Sequence, residues 1–321
     1  MANALFFSAD AKWDFPFFKK LAANDTGSVR GHQGGMVVPK DLRIFFPVLT
    51  GHTTSESPTV DHSIKAILLV DGEFISAVTT RYQIQTWGGT RDAESRLTSN
   101  LTPLRNLAQK DDYLIIQRSL EDLDLYKLHL IRKTNPVYND LVNSLGTSRW
   151  GLIENEPPVT QEDIESSYIE EKKKELNPFQ LFDKEAKTTE TRGKHIARSI
   201  VFRLTIQRIY RQTCAICGTG LKSPQGPIEI DAAHIVPRNK FGTDDARNGL
   251  ALCKRHHWAF DHGLFSIDDS RKILVPTSVR KINENSILLN LHGLSLREPD
   301  NSNMLADAEA LKWHRDNILI A

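Results

Sequence analysis

Four residues in the last third of the sequence indicate metal-binding chemistry. Cys214 and Cys217 form a Cys-x-x-Cys pair and Cys253 and His256 a Cys-x-x-His pair, so that every cysteine of the chain lies in one of the two. Structural zinc takes four thiolate or imidazole ligands in a tetrahedron, and pairs at this spacing each come from one turn. The spacing predicts a structural zinc site. A redox-active Cys-x-x-Cys pair or unpaired core thiols are the alternatives.

Three further polar residues lie between and beside these ligands. His234 stands in the segment Ala-Ala-His-Ile-Val-Pro, Asn248 precedes a glycine, and His257 directly follows the last zinc ligand. In this order and spacing they resemble the HNH nuclease family, and the resemblance covers about residues 192–321. It implies a ββα-metal motif, in which a strand ends at the first histidine, a loop contains the asparagine and a helix carries the second histidine.

The resemblance also implies the chemistry, which is metal-dependent hydrolysis of a phosphodiester. His234 would be the general base that activates water, Asn248 would fix the loop and orient that ring, and His257 would hold a divalent cation such as magnesium. An imidazole suits the role of base because its unperturbed pKa of about 6.5 leaves much of it neutral at physiological pH.

The ligand set of the divalent cation departs from the family pattern. Many members have an aspartate or histidine directly before the first histidine, where this sequence has Ala233. Asp261 is the preferred substitute, because it follows His257 by four residues on the same helix face. Asp231 is weaker: it lies an odd number of residues from His234 and qualifies only if the strand has a bulge. Alternatively, His257 only supports other ligands and Asp261 is a surface acid at the helix end.

The segment before the zinc ligands is basic. Residues 191–228 contain no Asp or Glu, and apolar residues recur every four positions from Ile196 to Leu204. This pattern predicts an amphipathic helix with a buried stripe and a basic remainder, on which Arg198 and Arg203 are candidates for contact with DNA phosphates. A solvated basic face without a partner is the alternative.

Length and composition favour an α+β protein with two domains. A chain of 321 residues, of which 40% are hydrophobic, can form two domains with a core in each. Short apolar or alternating runs in residues 1–145 predict a β-rich barrel or sandwich. Residues 146–190 contain Pro157-Pro158 and a run of charged residues, and predict an exposed, charged helical linker. Residues 191–321 form the predicted nuclease domain.

The sequence also bears on the surroundings of the protein. It contains no apolar run of about 18 residues, and its first residues lack a basic segment followed by an apolar one. We therefore expect a soluble, cytoplasmic protein without a membrane partner. The net charge of +1 does not by itself indicate nucleic acid, because it averages over uneven segments.

Two N-terminal segments combine turn-forming and charged residues. Residues 18–39 contain the turn Asn-Asp-Thr-Gly, and residues 87–98 begin Trp-Gly-Gly-Thr-Arg. Both resemble the DNA-binding domain of EcoRII-type restriction enzymes, a pseudobarrel that grips the major groove with two loops called arms. By position, the resemblance implies DNA contacts and, for Asn24 and Asp25, support of the first arm. The residues carried over are Lys19, Asn24, Asp25, His32, Arg91, Glu94 and Arg96.

The side chains of the second arm suit G·C pairs. Arg91 and Arg96 can pair with O6 and N7 of guanine, and Glu94 can accept a hydrogen bond from the amino group of cytosine. Lys19 is better suited to a phosphate. Ordinary loop residues and surface charges are the alternative.

Together, these patterns predict a sequence-specific, restriction-type endonuclease. It would have an N-terminal pseudobarrel that reads double-stranded DNA, a charged linker and a C-terminal zinc-containing ββα-metal domain. Cutting both strands requires two active sites, so a homodimer is expected. A modification-dependent HNH endonuclease that requires methylcytosine is one alternative. A DNA-binding regulator with a degenerate nuclease domain, motivated by Ala233, is the other.

Overall fold

The computed structural model divides the chain into two units, Met1–Glu162 and Asp163–Ala321. It describes residues 7, 9, 12–27, 35–51, 53–86, 92–154, 156–183, 191–223 and 228–320. The division falls inside the segment 146–190 that the sequence predicts as a linker. The boundaries given above for the individual domains stay predictions.

Among its described residues, the first unit forms an eight-stranded sheet. The strands are β1 (Phe17–Lys20), β2 (Met36–Val38), β3 (Thr59–Val70), β4 (Glu73–Gln85), β5 (Glu94–Leu97), β6 (Tyr113–Arg118), β7 (Leu125–Ile131) and β8 (Trp150–Leu152), with the helices α1 (Thr102–Arg105) and α2 (Val137–Leu145). The strand order is β2-β5-β4-β3-β7-β6-β1-β8. Neighbouring strands are antiparallel except β3 and β7, which run parallel.

Alternation of side chains gives this sheet a buried face. In β3, every second residue from Ile64 to Val70 is buried, and those between are more exposed. This is the pattern of a strand with one face on the core. In the same core the ring of Phe46 stacks on those of Tyr82 and Tyr126, with centroids 4.8 and 5.1 Å away.

The second unit contains a short hairpin and several helices. Its strands are β9 (Asp231–His234), β10 (Gly249–Leu252), β11 (Ser266–Ile267) and β12 (Ile273–Leu274). Its helices are α3 (Gln161–Glu175), α4 (Arg192–Ile209), α5 (Lys254–Asp261), α6 (Thr277–Arg280), α7 (Ser286–Leu289) and α8 (Ala308–Asn317). The first two residues of α3 belong to the first unit. In the part of the chain that the structure describes, no helix has the length and apolar character needed to span a membrane.

Helix α4 packs through a stripe shifted from the predicted one. Ile196 and Leu204 are only half-buried. The buried residues are Ala197, Ile200, Val201, Phe202, Thr205, Ile206 and Ile209. The cause is the hairpin: a Cβ atom on Gly249 would lie 2.6 Å from Ile206 and 2.8 Å from Phe202. Glycine at this position therefore lets helix and hairpin approach closely.

Helix α3 is less exposed than a bridging linker would be. Glu171 is buried, and its carboxylate accepts a hydrogen bond of 2.9 Å from the backbone N–H of Ala246. Burial raises the pKa of Glu171, although Lys174 lies 3.5 Å from its second oxygen. The expectation of a solvated spacer is corrected here, because this helix packs on the loop that enters β10.

Candidate functional site

The four predicted zinc ligands come together in the second unit. One ligand atom from each of Cys214, Cys217, Cys253 and His256 lies within 4.8 Å of the others. Nδ1 of His256 is 3.4 Å from Sγ of Cys214 and 3.2 Å from Sγ of Cys253. The first pair lies in the turn after α4, and the second begins α5. One ion could therefore contact all four.

The surroundings of this cluster favour a cation. Cys214, Cys253 and His256 are buried, and Cys217 is half-buried. Burial raises the pKa of Cys214 to about 12, raises that of Cys253 and lowers that of His256. An apolar core alone would keep these groups neutral, whereas bound zinc stabilises thiolates. The donor set of three sulfurs and one imidazole fits structural zinc.

The candidate base lies at the end of β9 against α4. The His234 ring stacks on Phe202, with centroids 4.0 Å apart, and its Nε2 is 3.0 Å from Oδ1 of Asp244. Asp244 is buried. Burial acts to raise the pKa of Asp244, but its hydrogen bond to His234 and the charge of Arg238 lower the pKa below its usual value. An ionised carboxylate only accepts, so Nε2 carries the proton, and no residue that the structure describes donates to the lone pair of Nδ1.

Asn248 braces the β9–β10 loop, residues 235–248. Its side chain is fully buried. Oδ1 accepts a hydrogen bond of 2.9 Å from the N–H of Val236, and Nδ2 donates to the carbonyl oxygens of Thr243 and Val236 at 2.8 and 3.1 Å. Both ends of the loop are thus tied to one amide, which holds His234 and Asp244 at a fixed separation.

His257 lies between two carboxylates. Its Nδ1 is 2.9 Å from Oδ2 of Asp231, and its Nε2 is 3.4 Å from Oδ2 of Asp261. The hydrogen bond to Asp231 is the main reason why the pKa of His257 is raised. When Nδ1 donates to Asp231, Nε2 and the Asp261 oxygen can both act as acceptors, so they need a proton or cation between them. This donor pair fits a divalent metal ion.

The contact of Asp231 corrects the sequence argument. The β9–β10 ladder is regular over its four residue pairs, with no bulge, yet Asp231 reaches His257. Alternation does point Asp231 away from His234. The face it shares with the fully buried Ala233 is, however, the face that meets α5, so no bulge is needed.

The candidate base and the candidate metal ligand Asp261 line one cleft of about 290 Å³. The lining residues are His234, Ile235, Pro237, Asn239, Lys240, Asp261, His314 and Ile318. Lys240 is exposed there and could meet a phosphate. Neither Lys240 nor Asp244 was predicted from the sequence. The acidic pair before Asn248 in Thr-Asp-Asp-Ala-Arg-Asn was the available signal for Asp244.

The two arginines expected to contact DNA on α4 are half-buried. Nε of Arg198 lies 4.0 Å from Oδ2 of Asp244, so this side chain also faces the site. The DNA contacts of Arg198 and Arg203 stay predictions.

In the first unit, Lys19 is not a surface residue. It lies on β1 with 9% of its side chain exposed, and its Nζ is 2.6 Å from both Oδ1 of Asp25 and the carbonyl oxygen of Val37. Asp25 also accepts hydrogen bonds from the N–H groups of Ala22 and Val37. Lys19 therefore ties β1 to β2, which corrects the expected phosphate contact. The support of the first arm by Asp25 stays a prediction.

The second predicted arm is only partly a loop. Glu94 and Arg96 lie on β5, and Nη2 of Arg96 is 3.1 Å from Oε2 of Glu94. Only 11% of the Arg96 side chain is exposed. Asn24 lines a cavity of about 530 Å³ at the end of β1. His32 and Arg91 lie outside the described residues.

The part of the chain that holds the Cys3His cluster, the hairpin and α5 matches a known family. Residues 214–268 match the family model described as HNH endonuclease. They form an HNH endonuclease domain. The prediction of this family is confirmed, and the HNH domain contains His234, Asn248 and His257. The chain therefore carries the catalytic domain of a nuclease.

Two solved structures of restriction endonucleases show more distant similarity. The modification dependent TagI restriction endonuclease is 24% identical, with a TM-score of 0.30, over 36% of this chain and 37% of that chain. The N-terminal domain of Helicobacter pylori LlaJI.R1 is 15% identical, with a TM-score of 0.30, over 44% of this chain and 98% of that chain. The chain thus spans little more than a third of the length of TagI. No curated protein matches it.

Proposed function

We propose that the chain is a sequence-specific restriction-type endonuclease that hydrolyses double-stranded DNA. The first unit, as an EcoRII-like pseudobarrel, would read the sequence, and the HNH domain would cut. One observation carries the proposal: His234 has Nε2 held by the buried Asp244, Nδ1 free to accept a proton, and a place in the same cleft as Asp261.

In the hydrolytic step, Nδ1 of His234 takes a proton from a water molecule as its oxygen attacks phosphorus. The bond from phosphorus to the 3′ oxygen breaks, and that oxygen takes a proton from solvent. Asp244 stabilises the imidazolium and keeps the ring in the required tautomer. A base in this role typically contributes ~10²–10⁴-fold to the rate. Asn248 acts on the loop and touches no reacting atom.

His257 and Asp261 would hold a divalent cation such as magnesium, which when bound stabilises charge on the phosphate and on the leaving oxygen. Asp231 accepts the hydrogen bond from Nδ1 of His257 and so directs Nε2 towards Asp261. A carboxylate behind a ligating histidine fixes ring orientation in this way at many metal sites. On this account, Asp231 orients the ring and Asp261 is the ligand.

Recognition would come from the first unit. We assign base contacts to Glu94, Arg91 and Arg96, as the resemblance implies, with Asn24 and His32 beside them. Lys19 would hold the base of the first arm. Phosphate contacts would come from Arg198, Arg203 and the exposed Lys240. Because each HNH domain has one base and one metal pair, cleavage of both strands would need a homodimer or two chains on one DNA.

Cleavage of plasmid DNA tests this proposal. The purified chain is incubated with unmethylated and cytosine-methylated plasmid in magnesium, manganese or EDTA. We expect linear products with defined ends from unmethylated DNA in either metal, and none in EDTA. Cleavage restricted to methylated plasmid would favour a modification-dependent enzyme instead. Binding without any cleavage would favour the regulator.

A further inference from the structure

The stretch of residues 176–183 after α3 packs on the β9–β10 loop. Phe182 forms a backbone bridge with Gly242, and the N–H of Asp183 donates to the carbonyl oxygen of Phe241 at 3.0 Å. The N–H of Thr243 donates to the carbonyl oxygen of Leu181 at 3.3 Å. This stretch precedes residues 214–268 in sequence, but it pairs with the loop that carries Asp244.

A row of side chains leads from this stretch to the candidate base. Nη1 of Arg238 donates to Oδ2 of Asp183 and to the carbonyl oxygen of Gly242, each at 2.5 Å. Nε of the same guanidinium is 3.5 Å from Oδ1 of Asp244. That oxygen is the one 3.0 Å from Nε2 of His234. The row thus runs from a carboxylate to a guanidinium, to a second carboxylate and then to the imidazole of His234.

The C-terminal end of the β9–β10 loop is held by α3 and the stretch that follows it. The buried carboxylate of Glu171 accepts from the N–H of Ala246. Nη2 of Arg247 donates to the carbonyl oxygen of Lys174 at 2.8 Å, and Nη1 donates to that of Asn177 at 3.1 Å. Residues 163–183 therefore fix the loop on both sides of Asp244.

We infer that Asp183 is a positioning residue for the nuclease reaction, acting on His234 through Arg238 and Asp244. The inference rests on the proposed role of His234 as general base. Arg238 is shared between two carboxylates, and the fork of a guanidinium can hold both at once. Without the charge of Asp183, Arg238 turns its Nη groups to Asp244 and draws that carboxylate from the imidazole. The ring then loses its fixed orientation.

The test uses the full chain with the substitution Asp183→Asn. A displacement of about 1 Å in a catalytic group can cost on the order of 100-fold in rate, and we expect a loss of about 10-fold or more in the single-turnover cleavage rate. The dissociation constant for DNA and the melting temperature should stay unchanged. Asp183→Glu should restore part of the rate. Glu170→Gln, on an exposed position of α3, is the control and should cut as the wild type does.

A double mutant shows whether Asp183 acts through Arg238. If it does, Asp183→Asn adds little to the loss caused by Arg238→Gln, because the second change removes a connection already broken. Losses that multiply fully in the double variant would overturn the inference, as would a wild-type rate in Asp183→Asn.

A readout independent of cleavage separates this inference from the proposed function. The Nε2 proton of His234, hydrogen-bonded to Asp244, is followed by NMR and assigned by its loss in His234→Gln. We expect Asp183→Asn to shift or broaden this resonance and Glu170→Gln to leave it unchanged. An unchanged resonance in Asp183→Asn overturns the inference even if the wild type cuts. A wild type that cuts no DNA overturns the proposed function, while the resonance still decides about Asp183.

Discussion

Both units of the molecule place charged groups inside the protein, but with different access to solvent. In the first unit, the side chains of Lys19 and Asp25 are 9% and 1% exposed, and their hydrogen bonds connect backbone segments. In the second unit, about a quarter of the side chains of Asp231 and His257 is exposed. Charges that are fully enclosed hold the fold, whereas partly exposed charges can exchange protons and bind ions.

The hydrogen bonds of the two pairs also distinguish a structural ion pair from a candidate reactive one. The enclosed pair has every oxygen of its carboxylate engaged by a donor. In the second unit, Nε2 of His257 lies 3.4 Å from an oxygen of Asp261, and a proton or a cation between the two atoms is needed to satisfy both. A partly exposed pair that can take up a proton or a cation is the better candidate for a functional site.

Removal of zinc should have the largest effect, and it should affect only the second unit. Structural zinc contributes on the order of 10 kcal/mol to the folding of small domains. We expect Cys217→Ser to make the C-terminal half sensitive to protease and the wild type to contain one zinc per chain by metal analysis. The first unit, which has no cysteine, is the internal control and should stay resistant. Freshly purified wild type without zinc would contradict the assignment.

The buried pair of the first unit should come next. Removing one partner of a buried ion pair costs about 3–5 kcal/mol, because the other charge stays buried without compensation. We expect Lys19→Met to lower the free energy of unfolding of the first unit by about this amount, as measured by denaturant titration.

Lys40→Met is the matched control, since Lys40 pairs with Asp92 at an exposed site and should change stability by at most about 1 kcal/mol. The original expectation of a phosphate contact would be restored if Lys19→Met left stability unchanged and only weakened DNA binding with a flatter dependence on salt.

Substitutions in the two units should differ in their effect on the recognition of DNA sequence. Arg96→Ala should cost about 1–3 kcal/mol on the cognate duplex and relax discrimination at one base pair. Arg198→Ala on α4 of the second unit should weaken all sequences alike. Competition binding with single-base variants of the site measures both. If Arg96→Ala leaves site preference intact, recognition does not reside in β5.

The dependence of stability on pH should differ least between the two units. Burial lowers the pKa of His129 in the first unit and of His314 in the second to about 4 in each case. The unfolded chain takes up these protons near pH 6.5 and the folded chain does not, so stability falls as pH drops from about 6.5 towards 4.

Between pH 7 and pH 5.5, each histidine should cost its unit about 1 kcal/mol in the free energy of unfolding. Denaturant titrations at the two pH values measure this, and His129→Gln or His314→Gln should flatten the slope of one unit only. A slope that survives in both variants would show that other groups control it.

Sequence patterns predicted contacts well where the residues lie close along the chain or carry a family spacing. The four predicted zinc ligands come in two pairs of short spacing, so a local turn brings the members of each pair together. The β-rich character predicted for residues 1–145 corresponds to strands such as β3, β6 and β7, because alternation and apolar runs are local properties.

Contacts that depend on distant packing could not be predicted. Lys19 is buried because β1 pairs with both β6 and β8, which no pattern within residues 18–39 reveals. The stripe on α4 is shifted because Phe202 meets Gly249, more than forty residues away along the chain. Asp244 reaches His234 only through the path of the β9–β10 loop.

Cleavage and binding by His234→Ala, measured on the same cognate duplex, test most directly whether recognition and chemistry reside in different units. We expect the variant to bind with the wild-type dissociation constant and zinc content, while the cleavage rate falls by ~10²–10⁴-fold or more. His195→Ala, at an exposed position of α4, is the control and should cut normally. A His234→Ala variant that cuts at nearly the wild-type rate would contradict the assignment of this residue as the base.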